Sequence, residues 1–237
     1  MVQKVKKPWA TTSGDKNVCR RKFISAIEQH ISDPKDFFVL PSDDAIDVKL
    51  LKESWPKSRI RGVECDKQTF GRILDNHFDC FVEHMFVGDY VNREAAHPSG
   101  TTFDAAFLDF VGPCTPSYVG DVVGFVHHLT KPKSVLGITF LQNPRGPKGT
   151  KEKIVDFVNL NSWVEDEDLT LADDDIEWNT SLQIADAVAG AIESGIPDKY
   201  PALRPRLKRL EILDHRTYRA GKNTTPMHFA VLLIERS

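Results

Sequence analysis

Cysteine is scarce in this chain and is not arranged for any of its usual structural roles. The four cysteines, Cys19, Cys65, Cys80 and Cys114, lie far apart, with no CxxC pair and no Cys/His spacing typical of zinc ligands. The sequence therefore predicts neither a zinc site nor a disulfide framework. Reduced thiols in a cytoplasm are the simplest expectation.

Long apolar runs and a strong charge of one sign are also missing. The formal net charge of −3 over 237 residues is typical of neither a general polyanion binder nor a disordered acidic protein. No apolar run is long enough to cross a bilayer, and the basic start MVQKVKKPWATTSGDK is not followed by an apolar signal core. We expect a flexible basic N-terminus over residues 1–14 and a single domain over residues 15–237, with 41 % hydrophobic residues to build its core.

The chain shows a regular alternation of short apolar runs with amphipathic runs. Five runs predict strands, namely DFFVL, RIRGVE, CFVEHMFVG, FDAAFLDF and SVLGITFLQN, and helical spacing predominates between them. Ser42, Asp43 and Asp44 precede one such helical segment, where they are expected as N-cap residues. The C-terminal third adds a long helix, WNTSLQIADAVAGAIESGI, and two β-rich runs joined by GKNTTP, which predict an antiparallel hairpin.

This order of elements predicts an α/β fold: a Rossmann-like three-layer sandwich around a mostly parallel seven-stranded sheet that ends in a C-terminal antiparallel hairpin. A dinucleotide-binding dehydrogenase would instead show a second mononucleotide half. Glu64, Asp89 and Asp109 each close a predicted strand, at the edge where open α/β sheets bind ligands. An acid at the tip of the second strand commonly accepts both ribose hydroxyls, which predicts a nucleoside-containing cofactor. The alternative for each acid is a loop residue or a helix N-cap.

With these elements and acidic positions, the chain from Lys22 onward resembles the class I S-adenosylmethionine-dependent methyltransferases, and its loop chemistry is similar to that of divergent phage and mobile-element members. The resemblance implies S-adenosyl-L-methionine as cofactor, a first cofactor loop over residues 37–44, and Glu64 at the ribose. It also implies that Cys65 and Asp66 flank the adenine and that Asp89 and Tyr90 meet its amino group. The implied cofactor-binding residues are Leu40, Pro41, Ser42, Asp43, Glu64, Cys65, Asp66, Asp89, Tyr90 and Asp109.

Glycine is missing from the first loop, VLPSDDAIDV, where the family usually has a glycine-rich turn that lets the backbone approach the methionine part of the cofactor. Pro41 and Ser42 could make an equivalent turn, with the N-terminus of the next helix facing the cofactor carboxylate. Asp43 and Asp44 would then bring negative charge to that carboxylate, unless one of them binds the cofactor ammonium.

The segment DFVGPCTPSY would lie beside the transferable methyl group. Asp109 is the candidate to orient or deprotonate the acceptor, with Phe110 and Pro113 on the substrate side. Amino-methyltransferases of nucleobases have a polar-Pro-Pro-aromatic turn here. This chain keeps an acid, an aromatic residue and a proline but not in that order, so nucleobase N-methylation is only suggested. Pro113 and Cys114 are also similar to the Pro-Cys of cytosine C5 methyltransferases, in which a thiolate attacks the ring. No Glu-Asn-Val companion motif is present, and a turn residue is the simpler interpretation of Cys114.

Basic residues after the fifth predicted strand bear on the substrate. Arg145 and Lys148 in NPRGPKGTKEK could grip phosphates at the same edge of the sheet, although a solvated charged loop fits equally well. The preferred hypothesis is a methyltransferase with nucleic acid as the leading acceptor. The alternatives are a catalytically silent Rossmann-like module that binds a nucleotide, nucleic acid or protein partner, and another nucleotide-using enzyme on a similar sheet.

Overall fold

The computed structural model describes residues 14–141, 181–194, 207–219 and 226–237. Strands and helices alternate over the first part of the chain. The strands are β1 (Asp36–Val39), β2 (Arg59–Val63), β3 (Phe81–Glu83), β4 (Phe103–Pro113), β5 (Thr130–Leu141), β6 (Leu207–Arg219) and β7 (Pro226–Arg236). The helices are α1 (Gly14–His30), α2 (Ile46–Ser54), α3 (Lys67–Asp75), α4 (Val87–Ala96), α5 (Pro116–Leu129) and α6 (Ser181–Ser194).

All seven strands form one sheet in the order β3-β2-β1-β4-β5-β7-β6. The pairs from β3 to β5 are parallel, whereas β7 runs antiparallel to both β5 and β6. This confirms the predicted Rossmann-like sheet with its C-terminal antiparallel hairpin. Strand order reverses between β1 and β4, so the carboxyl ends of these two strands form the crevice in which open α/β sheets bind ligands.

Two hydrophobic cores cover the two faces of the sheet. Successive side chains of a strand point to opposite faces, so Phe38 packs among α4, α5 and α6 while Phe37 packs among α1 and α2. The Phe38 ring centroid lies 5.1 Å from that of Tyr90 in α4 and 4.9 Å from that of Phe125 in α5. Helices on both faces complete the three layers that the alternating pattern predicts. Among the described residues, no helix combines the length and apolar character needed to span a bilayer.

Two local predictions are wrong, and both concern where a helix begins. Helix α2 starts at Ile46 behind Ala45, which has left-handed backbone angles (φ 44°, ψ 41°) and no side-chain cap. The predicted caps Ser42, Asp43 and Asp44 therefore lie in the preceding loop, where the Ser42 carbonyl accepts a hydrogen bond from the Ala45 amide at 2.9 Å. This helix begins at a backbone turn and has no capping side chain, so the sequence contains no capping residue that would locate its start.

The third predicted strand is also too long. β3 ends at Glu83, and the continuing apolar run belongs to α4, in which Val87, Tyr90 and Val91 are buried at helical spacing. Asp89 consequently lies in the first turn of a helix and not at the tip of a strand. An apolar run that changes period without a glycine or proline between its two halves gives no sequence signal for the boundary.

Candidate functional site

A cavity of about 310 Å³ opens at the carboxyl ends of β1, β2 and β4. Its lining combines an apolar wall with many acidic side chains. The acids are Asp43, Glu64, Asp66, Asp109 and Asp121, and Lys16 is the only basic residue among the described residues that line it. The volume suits a ligand of nucleoside size. No cluster of three or more His, Cys, Asp or Glu side chains within the described ranges could hold a metal ion.

The first loop packs tightly against β2 although it contains no glycine. The close approach is made possible by Gly62 in β2, since a Cβ there would lie 2.5 Å from the Val39 carbonyl oxygen and 3.1 Å from Pro41. Asp43 pairs with Arg72 of α3, with 2.8 Å between Oδ2 and Nε. Arg72 therefore balances the negative charge of Asp43 in this loop.

The tip of β2 presents Glu64 on a hydrogen-bonded turn. The Asp66 amide donates to Glu64 Oε1 at 2.6 Å, and Asp66 in turn caps α3 by accepting from the Thr69 amide at 2.8 Å. Both carboxylates line the cavity. Cys65 also lines it, and burial together with the Glu64 charge raises the pKa of its thiol.

The segment between β3 and α4 contributes an apolar wall that the sequence interpretation missed. Met85, Phe86 and Val87 line the cavity, and Phe86 is 64 % exposed. Asp89 and Tyr90 lie outside the cavity lining as far as the structure describes it. Asp89 is exposed on α4, whereas Tyr90 is 1 % exposed in the core. The predicted third strand extends past Glu83 into what is helix α4, and this misplaced boundary accounts for the different positions of Asp89 and Tyr90.

Asp121 is a further carboxylate of the cavity, and no sequence pattern points to it. It lies in α5, lines the cavity, and packs against Gly88, where a Cβ would lie 2.4 Å from Asp121 Oδ1. The close approach of α4 to α5 thus brings a carboxylate beside the apolar wall. Only the tertiary packing of two helices reveals this arrangement.

Asp109 lies on β4 and is held by two partners. Its Oδ2 accepts from the Lys16 ammonium and its Oδ1 from the Thr139 hydroxyl, and its side chain is 7 % exposed. Burial by itself raises the pKa of Asp109, but the Lys16 charge and the hydrogen bonds from Lys16 and Thr139 outweigh it and leave the pKa lowered. A carboxylate stabilised in this way is a weak base, so the geometry favours a positioning role over deprotonation of an acceptor.

Beside Asp109, aromatic side chains of β4, α5 and β5 pack against one another. The Phe110 ring centroid lies 4.6 Å from that of Tyr118 and 5.2 Å from that of Phe140, and Phe110 and Tyr118 both line the cavity. Pro113 pairs with Leu141 in the β4–β5 ladder. Cys114 is 6 % exposed, and burial raises the pKa of its thiol to about 12. Such a thiol does not supply a thiolate at neutral pH, which favours the turn-residue interpretation.

Helix α1 connects this site to the rest of the fold through two buried ion pairs. Lys16 pairs with Asp109, and Arg20, one turn later, pairs with Asp47 in the first turn of α2 at 2.6 Å. Lys16 lies in the first turn of α1, 93 residues before Asp109, so no local sequence pattern connects the two residues. Arg145 and Lys148, the predicted phosphate-gripping residues, lie outside the described residues, as does nearly all of the predicted flexible N-terminus.

Comparison with known proteins shows similarity of structure only. No protein-family model and no curated protein matches the chain. The plantazolicin methyltransferase BpumL in complex with S-adenosylhomocysteine is 8 % identical, with a TM-score of 0.51, and the match covers 93 % of this chain and 84 % of that one. A protein of Clostridium thermocellum provisionally described as an rRNA methylase is 8 % identical, with a TM-score of 0.50 and coverage of 95 % and 97 %. The chain therefore has the Rossmann-like fold of the class I S-adenosylmethionine-dependent methyltransferases.

Proposed function

We propose that this chain is an S-adenosylmethionine-dependent methyltransferase whose cofactor occupies the cavity at the ends of β1, β2 and β4. The observation that carries the proposal is the position of Glu64, which is held by the Asp66 amide at the tip of β2 inside that cavity. A carboxylate there can accept hydrogen bonds from both hydroxyls of a ribose. The BpumL structure contains S-adenosylhomocysteine, which supports the use of this fold for that ligand.

The remaining lining fits the other parts of the cofactor. Adenine suits the apolar wall of Met85 and Phe86, because the exposed Phe86 ring offers a face for stacking. Asp121 beside this wall can accept a hydrogen bond from the adenine amino group. We propose that Asp121 takes the role that the sequence suggested for Asp89. Leu40, Pro41, Ser42 and Asp43 would adjoin the methionine part, with Cys65 and Asp66 near the adenine.

Bound S-adenosylmethionine would supply an activated methyl group on its sulfonium, and the protein would mainly align the acceptor with it. In this proposal the ion-paired Asp109 fixes the geometry of β4 beside the cavity. Phe110 and Tyr118 form the neighbouring aromatic surface for the acceptor. Nucleic acid remains the acceptor that we propose, with Pro113 on the substrate side and Arg145 and Lys148 as candidates to bind phosphates.

Calorimetric titration with S-adenosylmethionine and S-adenosylhomocysteine tests this proposal directly. Glu64→Ala should weaken binding of both compounds about tenfold or more, because it removes the charged acceptor of the ribose hydroxyls, whose hydrogen bonds to it are worth about 1.5–3 kcal/mol each. Glu53→Ala, which removes an exposed carboxylate from α2, is the matched control and should bind like the parent. Absence of binding by the parent would refute the proposal, and equal affinities of parent and Glu64→Ala would refute the ribose assignment.

A catalytically silent module is the second candidate, favoured by the glycine-free first loop and by the engagement of Asp43 with Arg72. Tritiated S-adenosylmethionine incubated with the protein and with pools of DNA, RNA and protein separates the two. Transfer of label to one pool supports the enzyme and identifies the class of acceptor. Cofactor binding without transfer to any pool supports the silent module.

A further inference from the structure

The cavity presents an electrostatic problem for the ligand proposed above. The methionine part of the cofactor carries an ammonium and a carboxylate, and a buried carboxylate needs a cation or several N–H donors. Five acidic side chains line the cavity, so the ammonium has many possible partners. The carboxylate has few, since Lys16 is the only basic side chain among the described lining residues.

The N-terminus of α2 is a poor alternative for this carboxylate. Helix N-termini bind anions through their first amide groups, but here Asp43 and Asp44 precede the helix and Asp47 occupies its first turn. Asp47 is only 5 % exposed and is already paired with Arg20. Arg72 and Arg20 balance Asp43 and Asp47, but Asp44 adds a further carboxylate at this helix start, which opposes the binding of an anion by the helix dipole.

Lys16 has the position that the carboxylate requires. It lies in the first turn of α1 with its side chain 9 % exposed, it lines the cavity, and it bonds to Asp109, which lies four residues before the end of β4. Asp109 is fixed on its other oxygen by Thr139, so the ammonium of Lys16 is held in a defined place. An ammonium has three N–H donors and can therefore serve Asp109 and a ligand carboxylate together.

We propose that Lys16 binds the carboxylate of the cofactor's methionine part, and that Asp109 and Thr139 position Lys16 for this contact. The inference rests on the proposed function and extends the site to α1, which precedes the first strand. It also explains the ion pair between Lys16 and Asp109, because Asp109 holds the ammonium of Lys16 in place at the wall of the cavity. The ligand then joins α1 to the ends of β1, β2 and β4.

Two ligands that differ only in the carboxylate test this inference. S-adenosylhomocysteine contains it, and S-adenosyl-3-thiopropylamine is the same molecule without it. The parent should prefer S-adenosylhomocysteine about ten- to a hundredfold, which corresponds to one charge-assisted contact. Lys16→Gln should lose most of this preference while its affinity for the decarboxylated compound stays within about threefold of that of the parent. Lys16→Arg should retain much of the preference because it keeps the charge.

Lys16→Gln leaves Asp109 without its ion-pair partner, so a second variant guards against a loss of folding. Lys16→Gln combined with Asp109→Asn replaces the ion pair by two neutral amides that can bond to each other. It should fold and should show the same loss of preference. Arg20→Lys is the matched control, since it perturbs the neighbouring ion pair on the same helix face without removing a charge, and it should keep the preference of the parent.

The outcomes separate this inference from the proposed function on which it depends. Binding by the parent with an unchanged ligand preference in both Lys16 variants would overturn the role of Lys16 and leave the proposed function intact. An equal loss of affinity for both ligands would show that Lys16 supports only the structure of the site and would also overturn the inference. Failure of the parent to bind either ligand would overturn the proposed function and the inference together.

Discussion

The buried ion pair between Arg20 and Asp47 should be the most sensitive link between α1 and the rest of the fold. Arg20 Nε lies 2.6 Å from Asp47 Oδ1, and the two side chains are 4 % and 5 % exposed. Removal of one charge from such a pair leaves the other buried without compensation, at a cost of about 3–5 kcal/mol. Asp47→Asn keeps the shape of the side chain and should lower the free energy of unfolding by about that amount.

Urea denaturation followed by far-ultraviolet circular dichroism measures this difference. The matched control is Glu235→Gln, which disrupts a cross-strand pair with Lys133 at 3.4 Å whose side chains are 28 % and 48 % exposed. Because solvent screens that pair, its loss should cost less than about 1 kcal/mol. The contrast between the two variants isolates the effect of burial.

A double variant tests whether the cost comes from the unpaired charge or from the shape of the site. Arg20→Met with Asp47→Leu removes both charges and should recover most of the stability lost in Asp47→Asn, because apolar replacements of a buried pair are often neutral. A loss below about 1 kcal/mol in Asp47→Asn would refute the reasoning. The reasoning would also be refuted if the double variant lost as much stability as Arg20→Met and Asp47→Leu lose together when made singly.

The fold was predictable because it depends on local patterns that repeat along the chain. Runs such as DFFVL and RIRGVE are short and bounded by turn residues, and the helices between them bury regularly spaced apolar side chains. The C-terminal hairpin was equally visible, since its two strands are long and the turn-prone GKNTTP separates them. These signals are sufficient for the order and direction of strands in a sheet with standard connections.

The lining of the candidate cavity was predictable only where a side chain directly follows a well-marked strand. Glu64 meets this condition, and the structure places it in the cavity. Lys16 and Asp109 are 93 residues apart and Arg20 and Asp47 are 27 apart, so no local pattern connects the partners. Long-range ion pairs depend on how helices dock against the sheet, and the docking becomes visible only in the folded chain.

Three further predictions test the shape, the pH response and the ligand preference of the protein. Gly62→Ala should destabilise the fold by about 1–3 kcal/mol, because its Cβ would lie 2.5 Å from a backbone oxygen of β1. Gly71→Ala, with nothing within 4 Å of its Cβ on helix α3, should instead stabilise it by about 0.5–1 kcal/mol in urea denaturation. Burial lowers the pKa of His127 to about 4, so the unfolded state takes up a proton first as the pH falls below about 6.5. The free energy of unfolding should therefore fall by about 1–2 kcal/mol more in the parent than in His127→Gln between about pH 7 and pH 5, and equal falls would contradict this. The last prediction separates Asp121 from Asp89 as partner of the adenine amino group. S-inosylhomocysteine has an oxygen in place of that group, so a carboxylate acceptor at the site should make it bind about tenfold more weakly than S-adenosylhomocysteine. Asp121→Asn can turn an amide donor toward that oxygen and should remove this difference in calorimetric titration, while Asp89→Asn, on the exposed side of α4, should leave it unchanged. The reverse result would return the adenine contact to Asp89.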